Sequence, residues 1–214
     1  MDTERIPLKT FLEGAAVVLV LEALVIGLWP HQWGWGMWVT GLLRVVQGGA
    51  LVFILIQRGP GWSALGLARS DLRRGLLRGL LWSAGFGVLA GIGLVALQVL
   101  GYAPLKFFRL PLPLVWQRLL VLFLIGGLVG PVVEELFFRG LIFGYLRRWG
   151  AAAAILGSTL VFLAPHVAYR SLGPTQVVGG LIFAVAYEIE GSLLVPILIH
   201  VLGNLALFGL GLVG

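Results

Sequence analysis

Read from its N-terminus, the chain alternates long apolar runs with short clusters of charge and proline. The run Gly14–Pro30 is broken by a charge only at Glu22, and Gly79–Tyr102 and Gly191–Gly214 contain no Asp, Glu, Lys or Arg. Runs of about 20 apolar residues are long enough to cross a bilayer as helices. The pattern predicts about seven membrane segments, with six to eight as the range. They lie near Phe11–Trp29, Trp35–Ile56, Leu80–Leu100, Leu114–Arg148 with Pro131 inside, Ala151–Ala164, Thr175–Tyr187 and Ser192–Leu212. The polar stretch Gln57–Arg78 predicts a short amphipathic helix on the surface, and Gly101–Pro113 reads as a proline-bearing loop. The expected fold is all-α, a polytopic transmembrane helix bundle. It forms one membrane domain over residues 1–214, with N-terminal helices in 1–59, and no internal repeat or linker.

Composition sharpens this picture. Of 214 residues, 59% are hydrophobic and 11% charged, against roughly 45–50% and about 25% in soluble globular chains. The N-terminal run shows no small-residue cleavage site and reads as a retained helix rather than a signal peptide. Net charge is +6, from 13 Arg and 2 Lys set against 9 acids, and the bases gather at the ends of apolar runs. That suits topology and the lipid bilayer as a partner; no basic run interleaved with aromatics suggests nucleic acid. Arg and Lys in the short loops place the N-terminus, the 57–78 loop and the 147–150 turn in the cytoplasm. Lys106, Arg109 and Arg170 then fall outside, and His31 beside Trp33 and Trp35 reads as an interfacial belt. The absence of Cys excludes disulfides and thiolate catalysis. Arg over Lys in a compact chain points weakly to a bacterial or archaeal plasma membrane; oligomeric state is not encoded legibly.

Charge inside a bilayer is costly, about 2.5–3.5 kcal/mol on insertion scales, so polar residues within apolar helices carry the information. Glu134 and Glu135 are adjacent. Glu135 lies four residues before Arg139, the favourable order for a helical ion pair, and Glu134 points about 100° away round the helix. One acid is thereby held and the other left for chemistry, and apolar surroundings make a carboxylate a better base. His166 follows Pro165 at the end of the fifth segment. His200 and Asn204 share a face of the last, with Gly203 expected to admit a neighbouring backbone closely. Glu22 and Arg44 are expected to pair between the first two helices, Glu13 to snorkel, and Glu188 and Glu190 to be solvated. Counted at 1.5 Å per residue from the cytoplasmic ends, Glu134, His166 and Asn204 lie about 21, 22 and 20 Å deep, and His200 about 6 Å shallower.

A shared depth on three helices predicts one hydrated pocket. A carboxylate, two imidazoles and a carboxamide can hydrolyse an amide. Glu134 would be general base, His166 would hold the water, and His200 and Asn204 would donate to the oxyanion. Two His and one Glu (Glu134, His166, His200) are also a zinc ligand set, so zinc stays open beside a metal-free site. A non-proteolytic scaffold or regulatory protein, and a proton or ion carrier, would use the same pocket differently.

Three motifs stand in order: Glu134-Glu135-Leu-Phe-Phe-Arg139, Phe162-Leu-Ala-Pro-His166 and His200-Val-Leu-Gly-Asn204. Gly140 follows Arg139, and Gly191-Ser192-Leu193 precedes the last helix. In these the chain resembles the CAAX protease and bacteriocin-processing (CPBP) family, also called type II CAAX prenyl endopeptidases, over about residues 60–206. The resemblance implies a catalytic core there and an intramembrane glutamate-type endopeptidase acting on a peptide or protein at the membrane. Glu134 would be base, His166 its water-binding partner, His200 and Asn204 oxyanion donors, and Glu135 and Arg139 supporting residues. Two features depart from the family pattern. Pro165 is expected to distort the helix before His166, and Ala184 stands where relatives often carry Gly.

Overall fold

The computed structural model describes residues 6–28, 36–59, 61–103, 112–113, 115–168 and 172–213. Among them the chain is helical and without strands. The helices are α1 (Leu8–Leu28), α2 (Gly36–Gln57), a single turn α3 (Gly61–Ala64), α4 (Arg69–Val99), α5 (Trp116–Trp149), α6 (Ala151–Ala168), α7 (Pro174–Glu190) and α8 (Leu194–Val213). Among the described residues five helical stretches are long and apolar enough to cross a membrane: Gly36–Gln57, Gly61–Val99, Trp116–Trp149, Ala151–Ala168 and Leu194–Leu212. The chain is an integral membrane protein built as an all-α polytopic bundle. His31, Lys106, Arg109 and Arg170, on which the belt and part of the orientation rest, lie outside the described residues.

The expected amphipathic surface helix is not a separate element. Apart from the turn at α3, residues 69–78 are the first turns of α4, which runs 31 residues without a break. At 1.5 Å per residue that is about 46 Å, longer than the roughly 30 Å hydrocarbon layer. Its Arg-rich start therefore projects past the lipid. Gly75 and Gly79, four apart on one face, let α4 lie against α8: a Cβ on them would meet Leu194 Cβ at 3.3 Å and Leu198 Cβ at 3.1 Å. Gly203, expected to admit such an approach, has nothing among the described residues within 4 Å of a Cβ. The close packing comes from the other helix's glycines.

One end of the bundle gathers the ends of several helices. Arg58 pairs with Glu13, and the Thr10 hydroxyl donates to Arg58 O at 2.6 Å. Arg147 Nη2 reaches Glu188 Oε1 at 2.8 Å. Arg78 Nη2 reaches Glu190 Oε1 at 2.7 Å, and Trp82 Nε1 donates to the same oxygen at 2.9 Å. Glu13, Glu188 and Glu190 are thus paired rather than snorkelled or solvated, and the Glu190 side chain is only 2% exposed. Sequence position near a helix end did not disclose that other helices' ends bring cations to the same level. The α7–α8 turn closes on Gly191 in the left-handed region (φ 67°). Ser192 Oγ donates to Gly66 O and Leu193 N to Leu65 O, each at 2.9 Å, which fastens this turn to the start of α4.

At the other pole of the sequence, α1 and α2 enclose a polar cluster. Glu22 pairs with Arg44, as the sequence suggests. Arg44 Nη1 donates to Gln47 Oε1 at 2.6 Å, and the fully buried Gln47 donates to Val18 O at 3.4 Å. Removing one charge leaves its partner uncompensated among apolar helices. Arg44→Ala is expected to lower the thermal unfolding midpoint in detergent more than the double change Glu22→Gln with Arg44→Gln. Equal losses would show that the pair does not hold the helices.

Candidate active site

The acid pair sits where α5 departs from regular geometry. A six-residue α-helical stretch, Gly130–Glu135, is flanked by π-helical turns at Ile125–Val129 and Leu136–Phe143. Single π-helical turns within α-helices are frequent at functional sites. Here Pro131 supplies a local cause, since a proline removes a helix donor and crowds the carbonyl four residues back.

Glu135 and Arg139 are both fully buried. Arg139 Nη1 donates to Glu135 Oε1 at 3.0 Å, and its Nη2 donates to Gly180 O of α7 at 2.8 Å. Thr159 Oγ1 of α6 donates to the same carbonyl at 3.2 Å. The guanidinium carbon lies 5.0 Å from the Phe162 ring centre and 5.3 Å from that of Phe183, within reach of cation–π attraction. The sequence placed Arg139 beside Glu135; it did not disclose that Gly180, Thr159 and Phe183 complete the enclosure. A buried arginine has more donors than one carboxylate can use, and that requirement, with Gly179-Gly180 in an apolar helix, was the available signal.

His200 of α8 lies between the two acids. Its Nδ1 faces Glu135 Oε1 at 2.8 Å and its Nε2 faces Glu134 Oε2 at 3.8 Å. An ionised carboxylate only accepts, so Nδ1 carries the proton in the Glu135 contact. Phe183 stacks on the imidazole with ring centres 4.6 Å apart. The Glu134 side chain is 29% exposed while that of Glu135 is 0%; adjacent acids have different surroundings because they point to different sides of α5.

His166 stays on a helix that continues through Pro165 to Ala168, so the proline does not end the helix before it. Its Nδ1 is 3.0 Å from Phe162 O. A carbonyl accepts, so this contact puts a proton on Nδ1. Phe162 stands between the imidazoles, its ring centre 5.0 Å from that of His166 and 6.0 Å from that of His200. Asn204 Nδ2 donates to Gly126 O in α5 at 2.9 Å, an interaction the sequence reading did not contain. Ala184 is fully buried in α7, in the apolar cluster that includes Leu136, Leu141 and Tyr187.

A protein zinc site draws three or four donors to about 2.0–2.3 Å. Among the described residues no three His, Cys, Asp or Glu side chains are gathered to hold a metal ion. The set Glu134, His166 and His200 does not form such a group among them.

Arg139→Ala would leave the Glu135 carboxylate buried without its cation. Breaking such a pair costs about 3–5 kcal/mol, and Arg139→Lys should recover only part of it, because a lysine lacks the fork that also reaches Gly180. Unfolding curves in detergent check the order: native above Lys above Ala.

Comparison with known proteins points to the same part of the chain. Residues 116–206 match the family described as type II CAAX prenyl endopeptidase Rce1-like, a span that holds every polar group just described. The chain is 28% identical over 120 residues to the membrane-embedded CAAX protease MroQ of Staphylococcus aureus (strain USA300), covering 53% of this chain and 48% of that protein. It thus spans about half the length of the curated relative it matches. No solved structure matches the chain. Through the region from 116 to 206, which holds the buried acid–arginine pair and two imidazoles, the chain is similar to the type II CAAX prenyl endopeptidase Rce1-like family.

Proposed function

We propose that the chain is an intramembrane endopeptidase that hydrolyses a peptide bond of a membrane-associated peptide or protein, with Glu134 as general base. The observation that carries the reading is the Glu134 carboxylate, partly exposed and 3.8 Å from His200 Nε2, beside a Glu135 that is sealed in the protein. That gap is too long for a direct hydrogen bond, so the accessible carboxylate is not tied up by the imidazole.

The steps follow from the donors present. Glu134 takes a proton from water as the oxygen attacks the scissile carbonyl. The carbonyl becomes a tetrahedral oxyanion. His200 Nε2 and the second N–H of the Asn204 amide donate to that oxyanion. His166 Nε2 accepts from the attacking water and orients it. The carbon–nitrogen bond then breaks, and Glu134 returns its proton to the leaving amine. Glu135 keeps the His200 ring in place through Nδ1, and Arg139 balances the Glu135 charge. Every step uses protein groups and water alone.

The relative named as a membrane-embedded CAAX protease supports a protease over a carrier or scaffold. The Arg-rich bundle end, with Arg58, Arg78, Arg147 and Arg148, supports a cytoplasmic N-terminus, and the relative's Staphylococcus aureus source supports a bacterial or archaeal plasma membrane. The test is cleavage of membrane-anchored peptides by the purified full chain in lipid. General acid–base groups contribute about 10²–10⁴-fold. Glu134→Gln should lose at least that much rate with the unfolding curve unchanged. Retained cleavage in Glu134→Gln would refute the assignment of the base, and proton flux in liposomes without cleavage would favour the carrier.

A further inference from the structure

The Asn204 amide is fixed by a carbonyl that ought not to be free. In a regular α-helix the Gly126 carbonyl accepts from the N–H of Gly130. Here the Gly130 N–H goes to Ile125 O instead, one residue further back. The next donor that could serve Gly126 in this wider register belongs to residue 131, which is Pro and has no N–H. Gly126 O is left without a main-chain donor from its own helix. Carbonyls away from water require a partner, and Asn204 Nδ2 supplies it from α8 at 2.9 Å.

The same stretch carries the acid. A Cβ on Gly130 would lie 3.9 Å from Glu134 Oε1, so the turn that binds Asn204 also lies against the base. An amide has two N–H groups and one oxygen, and turning it over would set its oxygen against the Gly126 carbonyl. With Nδ2 committed to Gly126, the plane of the amide and the direction of its second N–H are set.

We propose that Pro131 is a positioning residue for Asn204: the donor it lacks opens the Gly126 carbonyl, and that carbonyl orients the amide for the oxyanion. The catalytic half of this inference rests on the peptidase reading above. The structural half, coupling between Pro131 and Asn204, does not.

The experiment is a double-mutant cycle in the full chain with Pro131→Ala, Asn204→Ala and both together, read by thermal unfolding and by peptide cleavage. Asn204→Ala should lower the unfolding midpoint by roughly 2–4 °C, the size expected of one hydrogen bond in a chain of this length. Most of that loss should vanish in the Pro131→Ala background, where Ala at 131 brings an N–H that Gly126 can use; additive losses overturn the proposal. In cleavage, Pro131→Ala should lower kcat with KM little changed, and the double change should be no slower than Asn204→Ala. A kcat that falls in Asn204→Ala but not in Pro131→Ala overturns it as well. Should Pro131→Ala not fold, the carbon-13 shift of the Gly126 carbonyl decides: it moves in Asn204→Leu, and a signal that stays put refutes the hydrogen bond. An inactive native chain would end the peptidase reading, while the unfolding cycle would still report the coupling.

Discussion

A single carboxylate oxygen holds the site together. Glu135 Oε1 accepts from Arg139 on its own helix and from His200 on α8, and Arg139 reaches on to the Gly180 carbonyl of α7. Both Glu135 and Arg139 are fully buried, where an uncompensated charge would be strongly destabilising. The three helices must therefore meet at this point or expose a charge to an apolar interior. The neighbouring Glu134 then needs no interaction of its own to be placed. Because Glu135 is turned inward, Glu134 is turned toward the open side, with His200 Nε2 opposite it. The division between a sealed acid and an accessible one is a consequence of helical geometry applied to two adjacent residues.

Around that anchor, the irregular parts of α5 are what make the site polar. A regular helix in lipid satisfies all of its own donors and acceptors. The π-helical turns on either side of Gly130–Glu135 break that closure locally, and Pro131 ensures that one carbonyl must look outside its helix. The chain answers with Asn204. Aromatic rings finish the enclosure. Phe162 borders the Arg139 guanidinium and both imidazoles, and Phe183 borders the guanidinium and His200. Electrostatic interactions are stronger in such surroundings.

Much of this was legible because lipid makes the sequence code simple. Apolar runs gave the helices, and charges inside them marked Glu134, Glu135 and Arg139. The Glu22–Arg44 pair was readable for the same reason. What could not be read were interactions between residues far apart in the chain. Glu190 looked solvated from its place near a helix end, yet Arg78 and Trp82, over a hundred positions away, enclose it. Residues 69–78 looked amphipathic and separate, yet Gly75 and Gly79 carry the helix straight onto α8. Gly203 looked like a contact point and is not one, since a glycine shows only that a close approach is permitted. The partner of Asn204 lay hidden because hydrogen-bond register, which frees Gly126 O, is a property of the folded helix and leaves only Pro131 as its trace.

The most direct measurement of the Glu135 anchor is nitrogen-15 NMR of the histidine rings in lipid, feasible because the chain has 3 His. The ring signals that disappear in His200→Gln belong to His200. The account predicts that its Nδ1 carries a proton held in a strong hydrogen bond to a carboxylate. A His200 ring protonated on Nε2 alone, with Nδ1 bare, would contradict it.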